Sequence, residues 1–149
     1  MTPFTEIAAR CDAIEECYEF MLGYAAQGIA DDRESHSGAQ LRELLSRAVE
    51  AAFGLPGAYA AVVKDNRLAP RERYETFLDV LKADTATALA AMELVLAQPR
   101  ISSQLVDNLN ASHHVRTLLT DVFLLDEIIH LRQTAPPSGP GTPTGSADD

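Results

Sequence analysis

Residues 70–98, PRERYETFLDVLKADTATALAAMELVLAQ, carry the most regular hydrophobic repeat in the chain. The side chains of this seam recur at alternating spacings of four and three residues: Tyr74, Leu78, Leu81, Thr85, Ala88, Met92 and Val95. This spacing is typical of a helix that packs against other helices along one face. Pro99 cannot continue a helix, so the segment predicts one long helix over about residues 70–98.

A similar pattern near the N-terminus predicts a first helix over about residues 3–26, with Thr2 as its N-cap. Its main seam comprises Ile7, Cys11, Ile14, Tyr18, Met21 and Ala25. A second apolar stripe lies beside that seam and comprises Ala13, Cys17, Phe20 and Tyr24. The two stripes together are wider than one neighbouring helix needs. A polar run over residues 31–35 then predicts a loop.

The segment that follows predicts a second helix that is broken in two. Ser37 and Gln40 have the spacing of a capping box, which marks the start of a helix. The buried stripe of this helix is expected to comprise Leu41, Leu44, Leu45, Ala48 and Ala52. Gly54 and Pro56 form a stop signal, with Gly54 expected in the left-handed conformation. Residues 57–65 are expected to form a short helix, because the chain offers no strand for them to pair with.

A last helix is predicted from Ser102 to about Gln133, with Ile101 packing onto Val106 at its start. Its second half, residues 118–131, is apolar almost all the way round. A helix of that kind is either central in the fold or covered by a partner. Four helices without a credible sheet predict an all-α, up-down-up-down four-helix bundle with a broken second helix.

The domain boundaries follow from composition. Residues 1–133 are expected to form the helical bundle. Residues 134–149, TAPPSGPGTPTGSADD, contain no large apolar side chain and are predicted to form a disordered tail.

The charge balance excludes several classes of function. The chain has 149 residues, with 12 Lys and Arg against 22 Asp and Glu, for a net charge of −10. A nucleic acid or an anionic membrane requires a basic face, so neither is an expected partner. No run of about 18 apolar residues could span a membrane, and the N-terminus does not resemble a secretory signal.

The cysteine content indicates the compartment. Cys11 and Cys17 lie about 9 Å apart along the first helix, which is too far for a disulfide bond between them. Two reduced thiols favour a cytoplasmic protein.

Glu127 and His130 are the sharpest candidates for chemistry, because Glu-x-x-His places a carboxylate and an imidazole on one helical face. Bundle proteins with iron or manganese centres use two such motifs, and this chain has one. Asp126, Glu15 and Glu93 are the possible additional ligands of a site for iron, manganese or zinc. The alternative is structural: Asp126 and the helix C-terminus would both favour a protonated His130.

A polar stretch in the middle of the last helix includes His113 and Arg116, which could line a small-ligand pocket or serve only in packing. His36 precedes the second helix, and the sequence assigns it no role. The chain has no phosphate-binding loop, nucleophile elbow or haem-attachment motif.

These observations predict a non-enzymatic interaction or regulatory protein that binds a protein partner and acts as a homodimer without a cofactor. Self-association is expected through the first and last helices, because both present more apolar surface than four helices can cover. The residues predicted to form the interface are those of the second stripe: Ala13, Cys17, Phe20 and Tyr24. The alternative is a metal- or small-ligand-binding bundle centred on the last helix.

Overall fold

The computed structural model describes residues 2–134, and the side chains of residues 2–132. This range contains six α-helices, one short 3₁₀ helix and no strand. The elements in chain order are α1 (Pro3–Ala25), the 3₁₀ helix (Asp32–Glu34), α2 (His36–Phe53), α3 (Leu55–Asp65), α4 (Arg71–Leu96), α5 (Ser103–Ser112) and α6 (His114–Thr134). The predicted all-α class is therefore confirmed. Of the predicted tail, Thr134 ends α6 and residues 135–149 lie outside the described residues.

Seen along their axes, the helices of the described chain lie at four corners around a common core. Helix α1 packs against α2, α3, α5 and α6, and α4 packs against the same four helices. Over residues 2–134, α1 and α4 do not contact each other, which places them diagonally opposite. The successive pairs α2–α3 and α5–α6 fill the other two corners. Each pair replaces one of the four helices expected from the sequence.

The core lies where the predicted seams meet. Ile14 and Met21 of α1, Leu81 and Met92 of α4, and Leu118 of α6 are fully buried. Leu41 and Leu45 contribute from α2, and Leu55 and Tyr59 contribute from α3. The heptad spacing of α1 and α4 thus corresponds to one buried face on each helix.

Hydrogen bonds join the helix ends at one end of the molecule. The Tyr24 hydroxyl donates to the Ile101 carbonyl at 2.7 Å, and the Ser103 hydroxyl donates to the Tyr24 carbonyl at 2.6 Å. The Arg42 guanidinium donates to the carbonyls of Leu96 and Gln98, at 3.2 and 2.9 Å. The C-terminal ends of α1 and α4 therefore meet the N-terminal ends of α2 and α5.

The buried carboxylate of Asp32 adds further contacts at this end of the molecule. Asp32 is 3% exposed, lies 2.5 Å from Arg42, and accepts a hydrogen bond from the Ile101 amide at 2.5 Å. Burial alone would raise the pKa of Asp32, but the hydrogen bonds from Arg42 and Ile101 lower it overall. The polar run expected only to form a loop thus forms an ion pair with α2 and accepts a hydrogen bond from Ile101, just before α5.

Three local predictions were wrong. The last helix is broken, because His113 adopts a left-handed conformation with φ 64° between α5 and α6. The N-cap of α2 is Ser35 rather than Ser37, since the Ser35 hydroxyl accepts the hydrogen bond of the Gly38 amide at 2.9 Å. Gly54 does separate α2 from α3 as expected, but with φ −92°, which is not left-handed.

Candidate functional site

The outer face of α6 exposes large apolar side chains. Phe123, Leu124 and Leu131 are 48%, 50% and 55% exposed. The opposite side of the same helix is buried in the core and comprises Leu118, Val122, Leu125 and Ile129. The all-round apolar pattern of residues 118–131 therefore reflects one core face and one open face. We define the outer face of α6 as the exposed residues Arg116, Thr120, Phe123, Leu124, Glu127 and Leu131, which lie within about 100° of one another around the helix axis.

A groove of about 400 Å³ runs along one side of this outer face, between α1 and α6. Its apolar lining comes from Tyr18, Leu22, Leu119 and Phe123. Leu22 is half exposed, so apolar surface continues from α6 onto α1. The polar lining comprises Glu15, Glu19, Arg116 and Thr120.

A second groove of about 320 Å³ lies on the other side, between α4 and α6. Tyr74, Phe77, Leu124 and Ile128 are among its lining residues. Arg73 and Arg132 also line it, as do Pro70 and Leu125. The outer face of α6 is thus a ridge between two largely apolar grooves, a shape suited to contact with another helix.

The residues predicted to bind a metal do not form one cluster. Glu127, His130 and Glu93 are exposed, whereas Asp126 and Glu15 are half-buried. Among the described residues, no group of three or more His, Cys, Asp or Glu side chains could hold a metal ion. Metal binding at Glu127 and His130 stays a prediction.

Asp126 instead contacts α3. The Tyr59 hydroxyl donates to Asp126 Oδ1 at 2.5 Å, and Cys11 Sγ lies 3.5 Å from the same hydroxyl oxygen. Burial raises the pKa of Asp126, and the hydrogen bond from Tyr59 opposes that rise. Because the Tyr59 hydroxyl donates its hydrogen bond to Asp126, the Cys11 thiol is the donor in its contact with the Tyr59 oxygen. This network joins α1, α3 and α6. It could not be predicted from the sequence, since its members lie far apart along the chain.

The two cysteines lack the features of a nucleophile. Both are free and buried. Burial raises the pKa of Cys11 to about 11 and that of Cys17 to about 12. The reactive thiolate is therefore suppressed near neutral pH.

A second feature missed from the sequence is a carboxyl pair between α4 and α6. Burial, together with the neighbouring carboxyl group of Asp84, raises the pKa of Asp121 to about 7. Each residue looks like an ordinary polar position on its own helix. Only the packing of α4 against α6 brings the two carboxyl groups together.

The structure separates the two residues of the predicted ligand pocket. His113 is exposed at the break between α5 and α6, whereas Arg116 is exposed on α6 and lines the α1–α6 groove. His113 is not among the residues that line this groove. His36 is exposed and is the first residue of α2.

The four residues of the predicted α1 interface are partly in the core. Cys17 and Tyr24 are buried within the protomer. Phe20 is half-buried with its ring 6.4 Å from that of Tyr24, and half-buried Ala13 lies in a groove between α1 and α2. Their role in an interface stays a prediction. Three of the seven exposed large apolar side chains of the described residues, Phe123, Leu124 and Leu131, lie on α6.

Comparison with protein-family models, with curated proteins and with solved structures finds no match for this chain. Within the described range, none of the helices has the length and apolar character needed to cross a membrane.

Proposed function

We propose that this protein is a non-enzymatic interaction or regulatory protein that acts as a homodimer and binds a protein partner. The observation that carries the proposal is the outer face of α6, where Phe123, Leu124 and Leu131 are about half exposed. Together with Leu22 on α1, they extend an apolar surface over two helices. Contiguous apolar surface of this kind marks interaction sites in soluble proteins.

The shape and composition of this surface support a helix as the contacting element. Phe123 lies at the middle of the ridge, and aromatic side chains are favoured anchors at the centre of interfaces. The two grooves beside the ridge offer space for side chains of a helix laid along α6. An isologous dimer would cover the same patch on both copies.

The buried polar groups support a non-enzymatic role. Asp126 accepts a hydrogen bond from Tyr59, and the carboxyl group of Asp121 lies beside that of Asp84. Cys11 and Cys17 carry raised pKa values that disfavour the thiolate. The contacts of Asp126 and Asp121 thus join helices to one another.

We also infer that the helices form an up-down-up-down bundle. The meeting of the α1 and α4 C-terminal ends with the α2 and α5 N-terminal ends supports this alternation of direction. A cytoplasmic location, supported by the two free thiols, stays a prediction. Metal analysis of the purified protein tests the alternative of a metal-binding bundle at Glu127 and His130.

Sedimentation at micromolar concentration tests the homodimer. We expect a concentration-dependent dimer of the 16.1 kDa chain. Phe123→Glu should shift the equilibrium to monomer with unchanged helix content, because Phe123 is already half exposed and its loss opens no cavity. Phe53→Glu is the matched control, since Phe53 is 80% exposed at the end of α2. A purely monomeric wild-type protein, or equal effects of the two changes, would overturn the proposal.

Phe123 is a cleaner position for this test than Phe20. Phe20 packs against the core beside Tyr24, so a buried charge there would disturb the fold as well as any interface.

A further inference from the structure

We infer that the occupant of the outer face of α6 is the same face of a second copy, packed antiparallel about a twofold axis, with Arg116 of each copy opposite Glu127 of the other. The inference rests on the proposed homodimer and adds its register and direction. It follows from the positions of the charged side chains on α6. In an antiparallel pair of α6 helices, the positive charge of one copy can face the negative charge of the other.

Arg116 and Glu127 are matched in position on the helix surface. They lie eleven residues apart, which is about 16 Å along the axis and about 20° around it. Both side chains are exposed on the outer face. Neither forms an ion pair within residues 2–132, although Glu15 and Glu19 line the same groove as Arg116.

The residues between these two charges supply the contact itself. Thr120, Phe123 and Leu124 are exposed between Arg116 and Glu127. An axis opposite the midpoint of residues 121 and 122 places Thr120 opposite Phe123 of the other copy, and Arg116 opposite Glu127. Because the axis is twofold, each of these contacts occurs twice.

Other arrangements of the same two helices are less favourable. A parallel pair would set Arg116 against Arg116 and Glu127 against Glu127, and like charges in contact oppose association. Sliding the antiparallel pair so that Phe123 faces Leu124 would set Arg116 against Leu131. That register leaves both charged groups without a partner.

The net negative charge of the chain opposes association, so the local placement of Arg116 and Glu127 matters for how two copies meet. Each chain carries a net charge of −10, so two copies repel each other at long range. At physiological salt that repulsion is screened beyond about 8 Å, whereas contacts at the interface are not. Complementary charges then select orientation and register more than they add affinity.

Charge reversal tests the register. Arg116→Glu and Glu127→Arg should each raise the dimer dissociation constant at least tenfold, because each turns two attractive contacts into two repulsive ones. The double variant Arg116→Glu/Glu127→Arg should recover the wild-type dissociation constant. Mixing the two single variants should also restore a dimer, since both contacts of that heterodimer join opposite charges.

Matched controls separate this effect from a change in net charge. Lys82→Glu and Glu43→Arg make the same charge changes at exposed positions on α4 and α2. They should shift the dissociation constant less than threefold. Circular dichroism checks that every variant keeps its helix content.

Distance measurement provides a test that leaves both charges intact. Spin labels on Leu131→Cys should lie about 28 Å apart along the axis in the antiparallel register, against about 10 Å for a parallel pair. Cys11 and Cys17 are buried and should not take the label.

The outcomes distinguish this inference from the proposed function. A wild-type protein that stays monomeric at 100 µM overturns both. A dimer that withstands the single reversals, or that mixing of the single variants fails to restore, overturns the register and leaves the homodimer standing. A short label distance overturns the antiparallel direction and with it the pairing of Arg116 with Glu127, and leaves the homodimer standing.

Discussion

Asp84 on α4 and Asp121 on α6 bring their carboxyl groups together across the helix interface, close enough for Asp84 to raise the pKa of Asp121. Two neighbouring carboxyl groups favour a state that keeps one proton, because two ionised carboxylates repel each other. Burial is the larger cause, and Asp84 the second, of the rise in the pKa of Asp121 from 3.8 to about 7. The second oxygen of Asp121, Oδ2, is buried without a hydrogen-bond partner within the described structure.

This pair predicts a loss of stability as the pH rises from about 4 to about 7. The unfolded chain releases the Asp121 proton near pH 4, whereas the folded chain keeps it until about pH 7. The folded state therefore binds more protons in this window, and the free energy of unfolding falls with rising pH and levels off above pH 7. We expect a fall of about 2 kcal/mol, since partial solvent access reduces the full effect.

Asp121→Asn should remove this part of the pH dependence and make the protein more stable than wild type at pH 8. Urea unfolding at pH 5, 6, 7 and 8 measures the slope. Asp79→Asn, at an exposed position on α4, should keep the wild-type slope. A wild-type slope in Asp121→Asn would show that the pair does not hold the extra proton.

Asp32→Asn should destabilise the protein by about 3 kcal/mol, because it removes the charge that compensates Arg42 and alters the acceptor of the Ile101 amide. The pKa of Asp32 is lowered in the folded state. Its contribution is therefore present above about pH 4 and is lost as the pH falls through the folded pKa. Asp31→Asn should have a much smaller effect, because Asp31 pairs with the exposed Arg33, and the Asn side-chain oxygen can still accept the hydrogen bond of the Arg33 backbone amide. Denaturant unfolding at pH 7 compares the two, and equal losses would contradict the role of Asp32.

Gly38→Ala should destabilise α2, whereas Gly57→Ala should not. A Cβ atom at Gly38 would lie 2.0 Å from the Asp32 carbonyl oxygen, so the loop or the helix must move. A Cβ atom at Gly57, within α3, meets nothing within 4 Å. Gly57→Ala should therefore raise stability by about 0.5–1 kcal/mol through helix propensity. Thermal unfolding measures whether each variant is more or less stable than wild type. A stabilised Gly38→Ala variant would contradict the close approach of Gly38 to the Asp32 carbonyl.

Leu81→Ala should cost about 2–5 kcal/mol, because Leu81 is fully buried at the centre of the α4 seam. Leu94→Ala, on the same helix at 66% exposure, should change stability by less than about 0.5 kcal/mol. Comparison of the two urea midpoints tests the heptad assignment directly. Similar losses would mean that the seam is not the packed face.

Periodicity within one helix could be predicted from the sequence, because it depends on local spacing. The expected ranges 3–26 and 70–98 differ from α1 (Pro3–Ala25) and α4 (Arg71–Leu96) by at most two residues at each end. The break at Gly54 could also be predicted from the sequence, since Gly and Pro are local signals that interrupt a helix.

The break at His113 was harder to predict, because residues 101–133 contain neither Gly nor Pro and the apolar pattern resumes at Val115. Histidine is one of the few non-glycine residues enriched in the left-handed region, and the polar surroundings of His113 were the available signal. The pairs Asp84–Asp121 and Tyr59–Asp126 depend on which helices face each other. No spacing along a single helix carries that information.

Tyr59→Phe should destabilise the protein by about 1–2 kcal/mol and raise the pKa of Asp126. The ring of Tyr59 is fully buried, and Phe keeps its volume, so the loss comes from the hydroxyl that donates to Asp126 Oδ1. Burial already raises the pKa of Asp126, and the hydrogen bond from Tyr59 is what opposes it. A carboxylate that loses this donor is harder to ionise, so its titration should move to higher pH.

Carbon-13 NMR of the Asp126 carboxyl group measures that titration in both proteins. Tyr18→Phe is the control, because the half-buried Tyr18 hydroxyl makes no hydrogen bond within residues 2–132. It should leave both the stability and the Asp126 titration unchanged. With a higher folded pKa in Tyr59→Phe, the free energy of unfolding should fall further between pH 4 and that pKa than in wild type. An unchanged Asp126 titration in Tyr59→Phe would show that the hydroxyl does not stabilise the carboxylate.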